Sequence, residues 1–225
     1  MVKHDILDRE NLSNRAYTTL CEALVKGHYK PGDRLKIRDL AEQFGTSVTP
    51  VRDAILRLAQ DEAIVFQSAR NIRIPIVTKP RYLEIRAIRM RLEALAAETA
   101  ARRASQEDIT RLERILENNE TAIRNKDGIR GADFNQAFHF EIASIADMPQ
   151  LYSILQRLWL QMGPLISQVY LEGGRSMINH HYTILNALRE HDPVGAGAAM
   201  ITDISSGGQA LLDRVSAFGQ PAAAE

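Results

Sequence analysis

At 225 residues, 45% hydrophobic and 25% charged, the chain is long enough for one large or two modest domains, each with its own core. Cys21 is the single cysteine and no apolar run approaches the roughly 20 residues that span a bilayer, so an internal disulfide and a spanning helix are excluded. The formal charge is zero, with +2 on residues 1–78 and −2 on the rest, which selects no partner by charge alone. The N-terminus MVKHDILDRENLS lacks the apolar core of a signal peptide, and a reducing cytoplasmic interior is the expected setting, with no membrane partner.

In chain order, Tyr17, Leu20 and Leu24 share a face of a predicted helix over 14–27, closed by Gly27. Pro31-Gly32 marks a turn. Lys36 to Gln60 then reads as two short helices. Leu40 and Phe44 space the inward face of the first, and Val51, Ile55 and Leu58 that of the second. Gly45 suits the left-handed position that ends a helix. Ser47 and Thr49 are N-cap residue types, and Pro50 fits a first helical turn. The stretch is therefore either an ordinary helical hairpin or a DNA-reading helix-turn-helix. Two short strands follow, Ile64 to Gln67 and Ile72 to Val77, and they turn the motif into a winged one. Arg70 and Arg73 fall at or near the tip of that wing, within reach of phosphates or a minor groove.

Pro75, Lys79 and Pro80 mark a linker, which places a DNA-binding domain at 1–78 and a second domain at 79–225. Beyond the linker the pattern is helical throughout, with helices predicted at 80–103, 106–126, 129–146, 149–172, 175–191 and 193–215. Gly163-Pro164 should break the fourth of these, and the tail from about 217 should be disordered. The fold class is thus mainly α: three helices with a two-stranded wing, then an antiparallel helical bundle.

Several inward stripes of the bundle carry polar residues. Arg89 lies among Tyr82, Ile85, Leu92 and Ala96, and a buried guanidinium needs a partner. Glu93 at i+4 is one, an acidic ligand is another, and an Arg that snorkels to the surface needs neither. Asn135 and His139 stand one turn apart with Phe138 and Ile142, His181 lies with Ile178 and Leu185, and Asp203 with Met200. Ligand-type side chains on three inward faces are how helical metal sites are built, although each alone fits a satisfied core polar residue. His180 and His191 fall off the stripes. No Gly-rich phosphate loop and no HExxH is present, and Cys21 has no evident His partner, so no enzyme constellation emerges.

Taken together, from about Ala16 to Val215, the chain resembles the GntR family of bacterial transcription regulators, in the FadR-like subfamily with an FCD effector domain. Gly27-His-Tyr-Lys-Pro-Gly-Asp-Arg-Leu matches the family's G-x-x-x-P-G-x-x-L, and Leu40-Ala-Glu-Gln-Phe-Gly its L-A-x-x-x-G. Thr49-Pro-Val-Arg-Asp-Ala-Ile-Leu-Arg-Leu matches T-P-V-R-x-A-L-x-x-L. The resemblance implies DNA contacts from Arg38, Ser47, Thr49 and Arg52. Val48 stands where the family usually has Arg, and Ala69-Arg70-Asn71 where it often has a wing-tip Gly. Loss of that Arg removes a guanine contact worth about 1–3 kcal/mol of discrimination, which Arg70 can take over in part.

In the second half, Arg89-Met-Arg-Leu-Glu93 resembles R-x-x-L-E, Asn135-Gln-Ala-Phe-His139 resembles D-x-x-F-H, and His181-Tyr-Thr-Ile-Leu resembles H-x-x-I-L. The family's Asp and three His would become Asn135, His139, His181 and Asp203, a set that implies a divalent metal such as zinc or nickel, held weakly. The resemblance further implies a homodimer, a palindromic operator in double-stranded DNA, and repression relieved or tightened by a small carboxylate effector at Arg89. A metal-dependent enzyme and a ligand-free helical dimerisation protein are the competing classes. A metal-free effector pocket is the alternative for the bundle itself.

Overall fold

The computed structural model describes residues 3–171 and 178–218. They form two compact units, one holding the described residues up to 76 together with 159–164, the other the described residues from 77 to 158 and from 165 onward.

In the first unit, α1 spans Lys3–Val25, beginning earlier than the predicted helix and presenting Ala16, Leu20 and Leu24 inward at i, i+4 and i+8. α2 (Ile37–Gln43) and α3 (Val48–Gln60) follow. Between them Gly45 has φ +61°, its N–H bonds to the Glu42 carbonyl and that of Thr46 to the Ala41 carbonyl at 3.0 Å. Those two bonds satisfy carbonyls that the helix end would leave orphaned, as the sequence pattern anticipates. Val51, Ala54, Ile55 and Leu58 of α3 are buried against α1 and α2, each large aliphatic contributing about 1.5–3 kcal/mol. Tyr17 closes the α1–α3 contact: its hydroxyl donates to Asp61 Oδ2 at 2.7 Å and its ring lies 3.9 Å from the Arg57 guanidinium.

The wing differs from expectation in having three strands. β1 (Arg34–Leu35), β2 (Val65–Ser68) and β3 (Asn71–Arg73) form an antiparallel sheet in the order β1-β3-β2. Leu35 pairs with Ile72, and both side chains are buried. A two-residue strand leaves no period to read, and its partner lies far along the chain. The strand expected to run to Val77 ends at Arg73, and Ile74 continues only through bonds with Gly32 and Asp33 at 2.9 Å.

The second unit is helical: α4 (Lys79–Arg103), α5 (Gln106–Arg124), α6 (Gly128–Ala146), α7 (Pro149–Leu171), α8 (His181–Arg189) and α9 (Pro193–Phe218). Thr78, Ser105 and Asp127 cap α4, α5 and α6 through their side chains, and Ser105 with Asp108 forms a reciprocal capping box. α4 and α9 approach closely, so that the Tyr82 hydroxyl reaches the Gly208 carbonyl at 2.5 Å.

Two expectations are corrected here. α7 continues through Pro164, whose missing N–H removes one bond without ending the helix. Residues 159–164 of α7 also group with the first unit and not with 79–225. Leu160 joins that unit's core, Gln161 donates to the Asp61 carbonyl at 3.0 Å, and Gly163 lies flat against the Val25 backbone. α8 begins at His181 among the described residues; 175–177, and the tail from 219, lie outside them. No helix is long and apolar enough to cross a membrane, among the described residues.

Candidate functional site

In the first unit, the buried stripe of α3 fixes which side chains its first turn shows to solvent. Ser47, Val48, Thr49 and Arg52 are exposed, as is Arg38 on the first turn of α2. Ser47 makes no side-chain cap bond, so its hydroxyl is not committed to the α3 N–H groups. Val48 is 45% exposed. The positive end of the α3 dipole points the same way, which suits a phosphate.

At the wing, Arg70 is exposed at the β2–β3 turn, and its carbonyl accepts a bond from the Arg34 guanidinium. Arg34 was not singled out in the sequence, because β1 is too short to announce itself. Arg73 is committed locally: its Nε donates to Asn71 Oδ1 at 3.1 Å and its Nη1 to the Gly32 carbonyl at 3.3 Å. Both wing arginines are exposed, Arg73 with these local bonds and Arg70 at the turn itself.

In the second unit, four helices deliver an ionic chain to one buried place. On α4, Arg89 Nε donates to Glu93 Oε1 at 2.6 Å, so the intrahelical carboxylate is in contact with this guanidinium. Glu93 Oε2 lies 2.6 Å from His139 Nδ1 of α6. The opposite nitrogen, His139 Nε2, faces Asp203 Oδ2 of α9 at 3.5 Å, and His181 Nε2 of α8 faces Asp203 Oδ1 at 3.5 Å. All of these residues are buried. Phe138 stacks on the His181 ring at 4.3 Å between centroids and holds its plane.

Burial alone would raise the Glu93 carboxyl pKa, but the charges of Arg89 and His139 overcome it and hold the group ionised. Burial lowers the His181 pKa and so favours its neutral form, with Asp203 opposing in part. Asp203 is likewise buried, yet His181 and His139 bring its pKa down.

Among the described residues, His139, His181 and Asp203 are the group whose ligand atoms all lie within 4.8 Å of one another. The two 3.5 Å separations, which run to different oxygens of Asp203, are long for hydrogen bonds. Neither His181 ring nitrogen has a hydrogen-bond partner, nor does Asp203 Oδ1. Glu93 behind His139 supplies the carboxylate that orients a ligating imidazole. The residues therefore fit a divalent metal. Asn135 sits one turn before His139 on the same face, buried, with its Oδ1 unpartnered.

Other titratable groups are engaged elsewhere. His191 Nδ1 is 2.8 Å from the Ala101 carbonyl, and Glu141 accepts from Arg111 Nε at 2.8 Å. Neither joins the cluster.

A family model for the FCD domain matches residues 84–206, and one for bacterial regulatory proteins of the gntR family matches residues 12–74. The chain is 34% identical over 189 residues to the HTH-type transcriptional regulator McbR of Escherichia coli K12, covering 82% of this chain and 86% of that protein. It is 24% identical over 176 residues to the gluconate operon transcriptional repressor of Bacillus licheniformis, covering 78% of this chain and 70% of that protein. Among solved structures, Escherichia coli McbR/YncC matches with a TM-score of 0.84 at 30% identity, covering 90% of this chain and 98% of that one.

Proposed function

The chain belongs to the GntR family of bacterial regulators and is a DNA-binding transcription regulator, and on that footing we propose that it is a cytoplasmic homodimeric repressor. Its operator affinity is set by a small carboxylate in the helical unit. The family's regulators bind operators and usually act as dimers. Two copies of α3 related by a two-fold would read a palindrome, with Arg38, Ser47, Val48, Thr49 and Arg52 at the groove and Arg70 from the wing.

The observation that supports the effector half is the convergence of His139, His181 and Asp203 in front of the Glu93–Arg89 pair. Glu93 and Asp203 are carboxylates, and the Arg89 guanidinium is already bonded to Glu93, so a cation sharing the site would favour an anionic ligand. His139, His181 and Asp203 would hold a zinc or nickel ion, with Asn135 at its edge. That ion supplies the positive charge a carboxylate oxygen requires. Glu93 holds the His139 ring, and Arg89 keeps Glu93 ionised from behind. The ligand then shifts the population between forms whose DNA affinities differ.

Calorimetric titration of zinc into the metal-stripped full chain tests this site. Wild type takes up one equivalent, and His181→Ala loses the tight phase. Equal uptake by both would remove the cluster from the account.

A further inference from the structure

The wing tip has the length of a tight hairpin but not its backbone. Two residues, Ala69 and Arg70, join β2 to β3. Two-residue hairpin loops normally take a positive φ at one or both positions, because that twist matches the twist of the strands. Neither Ala69 nor Arg70 has a positive φ. The register slips instead: Phe66 pairs with Ile72 and Ser68 with Asn71, which leaves Gln67 as the extra residue of a bulge. Side chains then close the tip. Asn71 Nδ2 donates to Gln67 Oε1 at 2.5 Å, and the Arg70 N–H donates to Ser68 Oγ at 3.3 Å. A further bond comes from outside the hairpin, where the Arg34 guanidinium of β1 donates to the Arg70 carbonyl.

Three arginines thus share this small sheet, and their bonds divide them into two kinds. Arg34 and Arg73 are direct cross-strand partners, although like charges placed opposite one another destabilise a sheet. Among the described residues no carboxylate forms an ion pair with Arg34, Arg70 or Arg73, so such a wing suits an external anion. Arg34 and Arg73 direct their guanidinium groups to main-chain carbonyls, those of Arg70 and Gly32. The Arg70 guanidinium, exposed at the tip, has no hydrogen bond or ion pair of its own among the described residues. One arginine is held out, and another holds it.

We propose that Arg34 is a positioning residue for DNA binding: from β1 it fixes the backbone of the wing tip at Arg70, so that the Arg70 side chain meets DNA from a pre-set place. The inference rests on the DNA-reading wing proposed above and deepens it. An arginine on an exposed loop loses backbone as well as side-chain freedom when it binds, and fixing the backbone beforehand removes the first of those costs. The brace has a firm footing. Leu35, next to Arg34, is buried and pairs with Ile72, which ties β1 to the core of the unit. Because the brace acts through a carbonyl, it does not compete with DNA for the Arg70 guanidinium.

Fluorescence anisotropy on the full chain tests it with a cycle of Arg34→Met, Arg70→Met and the double variant, at two salt concentrations. The probe is the duplex that wild type binds most tightly among those tiling the DNA that flanks its own gene. Arg70→Met weakens binding by about tenfold or more, and Arg34→Met alone by about fivefold or more. In the Arg70→Met background, Arg34→Met changes the affinity by about twofold or less and leaves the salt slope unaltered. A brace that served only the fold would weaken binding by the same factor in both backgrounds. A direct phosphate contact from Arg34 would do so too, and would lower the salt slope by about one in each. Either result, or no loss from Arg70→Met, overturns the positioning role and leaves the DNA-reading α3 standing. Salt-sensitive binding to none of the duplexes overturns both. Melting supplies the arm that needs no DNA. Arg34 is exposed, and the Tm of Arg34→Met stays within about 2 °C of wild type. A drop of several degrees would assign Arg34 to the fold instead.

Discussion

Arg89 lies on a stripe of buried apolar positions, yet Glu93 one turn later receives its Nε at 2.6 Å. Removing one member of a buried ion pair strands the other charge, at about 3–5 kcal/mol. Arg89→Ala therefore lowers the urea unfolding free energy by about that amount, and the double variant Arg89→Met, Glu93→Leu loses much less. Equal losses for the two would mean that Glu93 has a second, sufficient counter-charge. The pair also shows what a sequence can and cannot disclose. Periodicity alone put Arg89, His139, His181 and Asp203 on inward faces, because each helix reports its own inward stripe. That Glu93 reaches across to His139 could not be read, since Glu93 is an ordinary i+4 partner on α4 and the second contact depends on how α6 packs.

At the scale of elements, the readable features were those with a local backbone cause. The turn between α2 and α3 needs a positive φ, and Gly45 stands there with nothing within 4 Å of an added Cβ. Gly45→Ala thus meets only the left-handed penalty and lowers stability by about 1–2 kcal/mol by chemical denaturation. A loss well above that would reveal a contact the open space does not show. Lys126 adopts φ +56° at the end of α5, with Asp127 N–H bonded to the Ala122 carbonyl at 2.9 Å, a position glycine prefers. Lys126→Gly raises stability by roughly 0.5–1 kcal/mol. A decrease would count against that account of the α5 terminus. Features set by distant partners were not readable. β1 exists because Arg34 and Leu35 pair with Arg73 and Ile72. Gly163-Pro164 signals a helix break by local rules, and α7 runs through it nonetheless. Packing overrides propensity in both cases.

On the scale of the whole molecule, the chain divides into two compact units, and the proposed function gives them separable tasks, one reading DNA and one holding a ligand. Coupling between such sites is reciprocal: whatever factor the effector applies to operator affinity, the operator applies to effector affinity. Calorimetry of the effector with and without saturating operator duplex should return the same factor as duplex titrations with and without effector. Unequal factors would mean that a third equilibrium intervenes. Metal adds to stability by mass action, about 2.7 kcal/mol at a hundredfold excess over its dissociation constant. Stripping metal from the zinc-loaded protein with a chelator therefore lowers its Tm by several degrees, and His181→Ala shows no such drop. A wild-type Tm indifferent to chelator would deny the cluster its metal.

The central claim is that the exposed first turn of α3 reads DNA, and duplex titration tests it most directly. Fluorescence anisotropy with duplexes from the DNA flanking the protein's own gene, at two stated salt concentrations, compares wild type with Arg52→Ala. The account predicts a specific duplex bound with an affinity that falls steeply with salt. Arg52→Ala should weaken it by about 1–3 kcal/mol if Arg52 meets a base, or lower the salt slope by about one if it meets a phosphate. Identical affinity and salt slope for the two proteins on the specific duplex would contradict it.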